Sequence, residues 1–185
     1  MLTELIFSLR ECPPLERSLP EMARLLGQAM ARVDGRRLNL IESPGSYSRT
    51  CAYFDDRFEV LLLNWSPGAA SSLHDHGGQH CWLAVLDGRV ELENYDRLDA
   101  GDEPGYARVA SRDGISLECG GMDLRNAPID IHRVCAGAAS GAVTLHVYAR
   151  PLRQFTVYDE LSHRCRLSRP KYDAVLPYRA RETVA

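Results

Sequence analysis

A chain of 185 residues, 45% apolar and 25% charged, suits one globular domain with a sizeable core. Its formal charge of −3 and its lack of a long Lys/Arg run leave no electrostatic footprint for a nucleic acid. No apolar run approaches the roughly 20 residues that span a membrane, and residues 1–20 lack a signal-peptide pattern. The expectation is a cytoplasmic monomer with neither a nucleic acid nor a membrane as partner.

A short helix fits residues 3–11. A second is expected from residue 14 to about 33, with Pro20 in its first turn. Met22, Leu25, Leu26, Ala29, Met30 and Val33 fall on one face at a period of 3.6, a stripe that reads as core packing. Gly35 is expected to end this helix. From Tyr47 the texture changes to short runs rich in Val, Leu, Tyr and Thr. Strands are expected over 47–54, 57–65, 80–86, 89–95, 131–136, 142–149 and 154–159. Asp87-Gly88 between two of these runs predicts a hairpin. The pattern is that of a mainly β sandwich or barrel with an N-terminal helical cap, in one domain over 1–185. The cap takes about 1–40 and the barrel about 45–165.

Six cysteines stand at 12, 51, 81, 119, 135 and 165, and none form a CxxC pair. The expectation is free thiols, mostly buried.

The pattern that carries chemistry is His74-Asp75-His76. On a strand, alternation puts the two imidazoles on one face, where they can chelate one metal ion, and turns Asp75 away. Gly68 lies six residues before His74, Cys81 five after His76, and Gly88 seven after Cys81. This spacing resembles the first cupin motif, G-x5-H-x-H-x4-E-x6-G, with Cys81 in the Glu position. The resemblance implies a cupin jelly-roll barrel. A site of neutral imidazoles without the carboxylate keeps more positive charge and more open positions for an anionic chelating substrate and O2. The ligand types alone do not choose the metal. A third histidine must come from His80, His132, His146 or His163. His132, in an apolar strand, is the best positional fit, although taken alone it is better read as a hydrogen-bonded core histidine. Thr144, His146 and Tyr148 alternate onto one strand face, which reads as a hydrogen-bonded row pointing into a barrel. An exposed polar edge is the alternative.

The stretch SSLHDHGGQHCWLAVLDGRVE, together with IDIHRV, TLHVY and YSR at 47–49, resembles the cysteine dioxygenase family in kind and order. The resemblance implies that His74, His76 and His132 bind Fe(II). It implies that Arg49 pairs with the substrate carboxylate, with Tyr47 in the same pocket. Tyr148 then points its hydroxyl at the bound substrate, His146 hydrogen-bonds that tyrosine, and Thr144 continues the relay. Cys81 can form a thioether to the ring of Tyr148. The implied reaction places both atoms of O2 on the sulfur of L-cysteine, giving cysteine sulfinic acid. The partners are thus a small thiol and O2.

Animal members follow the tyrosine with Ser-Pro-Pro, whereas this chain has Ala149-Arg150-Pro151. Relatives acting on 3-mercaptopropionate typically carry Gln in the place of Arg49 and lack the cysteine, so both residues favour cysteine here. Mercaptosuccinate stays open, with Arg150 as a cation for a second carboxylate. A non-catalytic metal-binding cupin sensor is the alternative from another class.

Overall fold

The computed structural model describes residues 2–12, 19–125 and 130–177. Two helices come first, α1 (Leu2–Glu11) and α2 (Leu19–Met30). Residues 14–18 of the expected second helix lie outside the described residues. Pro20 sits in the first turn of α2, where its missing N–H costs nothing. The helix stops at Met30, and Gly35 is not its terminator. Gly35 instead opens a 3-10 turn, Gly35–Arg37, capped by Asp34, whose Oδ1 accepts from Arg36 N–H at 3.1 Å. A Cβ on Gly35 would meet the Cβ atoms of Leu86 and Asp87 at 3.0 Å. Close approach to the barrel explains this glycine.

Eleven strands follow among the described residues: β1 (Tyr47–Phe54), β2 (Glu59–Trp65), β3 (Leu73–His74), β4 (Cys81–Arg97), β5 (Val109–Glu118), β6 (Met122–Arg125), β7 (Ile131–Ala136), β8 (Ala142–Tyr148), β9 (Phe155–Asp159), β10 (Arg164–Ser168) and β11 (Ala174–Val175). The backbone order is β10-β9-β3-β7-β4-β8-β2-β1-β11, with β5 and β6 also pairing β4. Apart from β11 on β1, the pairs are antiparallel. This is the mainly β jelly roll with N-terminal helices expected from the sequence.

The hairpin expected at Asp87-Gly88 is not formed. β4 runs through both residues, pairing β8 and β6 in its first half and β7 and β5 in its second. The register against β8 shifts between Val85 and Asp87, and Gly88 adopts φ +72°. A Cβ there would lie 2.2 Å from the Gly141 carbonyl oxygen. The positive φ that favours a tight turn here serves a bulge where one long strand passes between two sheets.

Alternation divides β2 and β8 between two cores. Val60, Leu62, Leu145 and Val147 face outward and pack with Leu5, Ile6, Leu9, Met22, Leu25 and Leu26 of the helices. Leu61, Leu63, Trp65 and Tyr148 face inward with Cys51, Cys81, Leu83 and Val85. With both faces covered, these strands read as nearly continuous apolar runs. Fully burying a side chain such as Leu62 or Leu145 contributes about 1.5–3 kcal/mol.

Candidate metal centre

β3 is only two residues long, so the expected HxH strand is not formed. His74 lies on β3 and pairs across to His132 on β7, whereas His76 falls in the turn beyond the strand. Asp75 shapes that turn. Its Oδ1 accepts from Gly77 N–H at 2.9 Å and Thr156 N–H at 2.8 Å, and its Oδ2 accepts from the Tyr158 hydroxyl at 2.8 Å. The acid therefore points away from the histidines. Gly77 has φ +58°, and a Cβ on it would meet the Gln154 carbonyl oxygen at 2.5 Å. Only glycine allows the turn to fold back here.

The arrangement brings His74, His76 and His132 together, with one ligand atom of each within 4.8 Å of the others. Among the described residues this is the one such cluster. The Nδ1 of His74 lies 2.8 Å from the Ser72 carbonyl oxygen. A proton on that nitrogen leaves Nε2 with its lone pair free for a metal. The Nδ1 atoms of His76 and His132 are buried without a partner. Burial holds the His74 pKa down to about 4 and those of His76 and His132 well below the usual imidazole range. All three are therefore neutral near pH 7, the form that donates to a metal. Three converging neutral imidazoles fit a divalent transition ion. The other histidine candidates stand apart: His80 stacks over Trp82, His163 is exposed beside Tyr106, and His146 lies on β8.

The row on β8 is completed by a residue not anticipated from the sequence. Trp65 Nε1–H donates to Thr144 Oγ1 at 2.9 Å, and Thr144 Oγ1 lies 2.9 Å from His146 Nε2. The indole also stacks on Tyr47, with ring centroids 4.3 Å apart. A buried polar row needs partners, and Trp65 is the inward residue of β2 with a donor to offer. His146 Nδ1 meets the Cys81 sulfur at 4.0 Å, while its ring lies nearly parallel to that of Tyr148 at 6.4 Å between centroids, so both ring nitrogens are engaged elsewhere and the expected hydrogen bond from His146 to the phenol is not formed. The phenol ring is 6.0 Å from that of His76.

Cys81 and Tyr148 are cross-strand partners, with thiol and phenol in contact. Burial pushes the Cys81 thiol up to about 12 and raises the phenol well above its usual value. Both are protonated at neutral pH. All six cysteines are free, but only Cys51 and Cys81 are buried, fewer than expected. Arg49 on β1 is held through its backbone. Its N–H donates to Asp173 Oδ2 at 2.7 Å, and its carbonyl accepts from Asp173 N–H at 2.8 Å. Its Nε and Nη2 are buried without a partner, close to Tyr148, Tyr47 and Glu59. An open guanidinium fork suits a carboxylate.

A jelly-roll barrel with a three-histidine cluster, two of its members buried and one half-buried, defines a metal-binding cupin. The chain belongs to the cysteine dioxygenase type I family, whose model matches residues 44–161. It is 28% identical over 109 residues to cysteine dioxygenase type 1 of Danio rerio, covering 56% of this chain and 51% of the relative. To the Rattus norvegicus protein of the same name it is 29% identical over 105 residues, covering 56% and 50%. The chain thus spans about half the length of these relatives. Among solved structures, the TT1209 protein of Thermus thermophilus is similar at 24% identity and TM-score 0.48, over 64% of this chain and 95% of that one. A cupin superfamily protein of Desulfitobacterium hafniense is similar at 15% identity and TM-score 0.44, over 60% and 84%.

Proposed function

We propose that the chain is a non-haem Fe(II) thiol dioxygenase that converts L-cysteine and O2 to cysteine sulfinic acid. The observation that carries this reading is the convergence of His74, His76 and His132 in a barrel that also encloses Tyr148 and the open guanidinium of Arg49. Family membership supports it. In this reading the three imidazoles hold the ion. Bound iron(II) supplies the preference for a thiolate and the redox chemistry that O2 requires.

The chain's own residues supply position and exclusion of water. Arg49 receives the substrate carboxylate on its free fork, and Tyr47 walls the same side from its stack on Trp65. Tyr148 stays protonated, so its hydroxyl is a donor toward the substrate. Trp65 and Thr144 fix the His146 ring, and that ring packs behind the phenol. Cys81 faces the phenol from β4 and can be oxidised onto its ring, which would lock the rotamer of Tyr148. The overall reaction balances as RSH + O2 → RSO2H, with both oxygen atoms retained.

The test is O2 uptake by the iron-loaded protein with L-cysteine, and mass analysis of the product for two added oxygen atoms. Absence of uptake with every thiol, in protein that holds iron, would sink the reading. Arg49→Ala is expected to raise the KM for cysteine by about tenfold or more while iron content stays unchanged. Unaltered kinetics in that variant would remove Arg49 from the carboxylate site.

A further inference from the structure

Glu59, the first residue of β2, is fully buried and is the cross-strand partner of Tyr148. It shares the inward face of the strand with Leu61, Leu63 and Trp65. Its Oε2 accepts from Leu152 N–H at 2.9 Å, and the Tyr172 hydroxyl is in hydrogen-bonding contact with the carboxyl group. Its Oε1 is buried with no hydrogen-bond partner. Glu59 lies within electrostatic reach of Arg49, yet the two do not close into a hydrogen-bonded pair, since Arg49 Nε and Nη2 are open as well.

Burying an acid and leaving one of its oxygens open is costly. A purely structural need at Leu152 would be met by an amide or a hydroxyl. The position of Glu59 suggests another use. Leu152 and Tyr172, which flank it, belong to the barrel's inner cluster. They also line an open surface depression with Arg153, Gln154, Arg169 and Pro170. The acid therefore touches two residues that line that depression and lies within electrostatic reach of the guanidinium.

We propose that Glu59 is a specificity-determining residue of the three-histidine site: its carboxyl group admits thiols that bring one carboxylate to Arg49 and rejects thiols that carry a second. This rests on the thiol dioxygenase reading above. One substrate carboxylate finds the open fork of Arg49. A second meets the buried carboxyl group of Glu59, whose Oε1 is open, where water does not screen the repulsion as it does at the surface. Arg150, expected from the sequence as a cation for that second group, is exposed, where water screens its charge. The site thus discriminates by repulsion as well as by attraction.

Two thiols that differ by one carboxylate test this, 3-mercaptopropionate and mercaptosuccinate. Each is titrated calorimetrically into iron-loaded protein without O2. The wild-type protein is expected to bind the monocarboxylate at least about tenfold more tightly. Glu59→Gln keeps the length of the side chain and an acceptor for Leu152 N–H. It is expected to bring the two affinities within about threefold, chiefly by tightening mercaptosuccinate. Equal affinities in the wild-type protein overturn the proposal, even if the variant fails to fold. A preference that persists unchanged in Glu59→Gln overturns it too. If neither these thiols nor L-cysteine binds the wild-type protein, the thiol dioxygenase reading falls and the role of Glu59 falls with it. Binding of thiols without the preference overturns the role of Glu59 alone.

Discussion

The two faces of β8 are buried alike and held in different ways. Val143, Leu145 and Val147 lie against the helical cap, with exposures of 8%, 0% and 0%. Thr144, His146 and Tyr148 point into the barrel, with exposures of 0%, 5% and 2%. The outer face gains from area removed from water, which is non-directional and tolerates small shifts. The inner face depends on a chain of bonds from Trp65 to Thr144 to His146, whose angles fix where each ring sits. One strand thus carries stability on one side and geometry on the other, and a substitution on each side should separate them.

The largest effect on stability is expected on the outer face. Leu145→Ala removes a fully buried side chain between β8 and the helices. Its cost should be about 2–5 kcal/mol, read as a lowered midpoint in urea with little change in slope. The molecules that remain folded should still bind one metal ion and turn over thiol at the wild-type rate. Loss of metal binding in the folded fraction would mean that the two faces are not separable.

A smaller cost with the opposite signature is expected on the inner face. Thr144→Val keeps the shape and deletes the hydroxyl that accepts from Trp65 and meets His146. The buried indole N–H is then left unpaired, at about 1–3 kcal/mol. The His146 ring loses its anchor behind the phenol. Turnover should fall several-fold while the KM for cysteine stays in place, because the Arg49 clamp is untouched. A rise in KM with constant kcat would break the assignment of this row to Tyr148.

The same contrast explains what the sequence made legible. The apolar stripe of α2 and the alternation in β8 are periodic, and periodicity survives without knowledge of the partner element. His74 and His76 emerged from spacing and motif, whereas only the family resemblance singles out His132 as the third. Misreadings came where one residue type serves two geometries. Asp87-Gly88 favours a hairpin turn, but the positive φ of Gly88 is used in a bulge. His74 and His76 suit a strand, but β3 ends at His74 and the carboxylate of Asp75 sets the position of His76 instead. Exposed β5, with its charged and polar residues, gives no apolar alternation to detect. Trp65 and Glu59 were missed as site residues for another reason. Their surroundings are fixed by the register of β2 against β8, which pairs Glu59 with Tyr148 and Trp65 with Ala142. No local pattern encodes a register set by residues more than seventy positions away in the chain.

The smallest expected effect on stability is the most informative about chemistry. Cys81 is 2% exposed, and burial holds its thiol protonated at neutral pH, so it should resist iodoacetamide in the folded protein. Exposed Cys119 should react readily under the same conditions. Tyr148→Phe deletes only a hydroxyl, so the folded protein should protect Cys81 to the same degree. Unfolding separates the two proteins. The Phe variant cannot form a phenol-activated link and should expose all six thiols of the chain. Wild-type protein that has turned over cysteine with iron and O2 should expose one thiol fewer, with an intact mass lower by two hydrogens. Six reactive thiols in both proteins after turnover would show that Cys81 and Tyr148 touch across β4 and β8 without becoming joined. The inner face would then owe its geometry to hydrogen bonds alone.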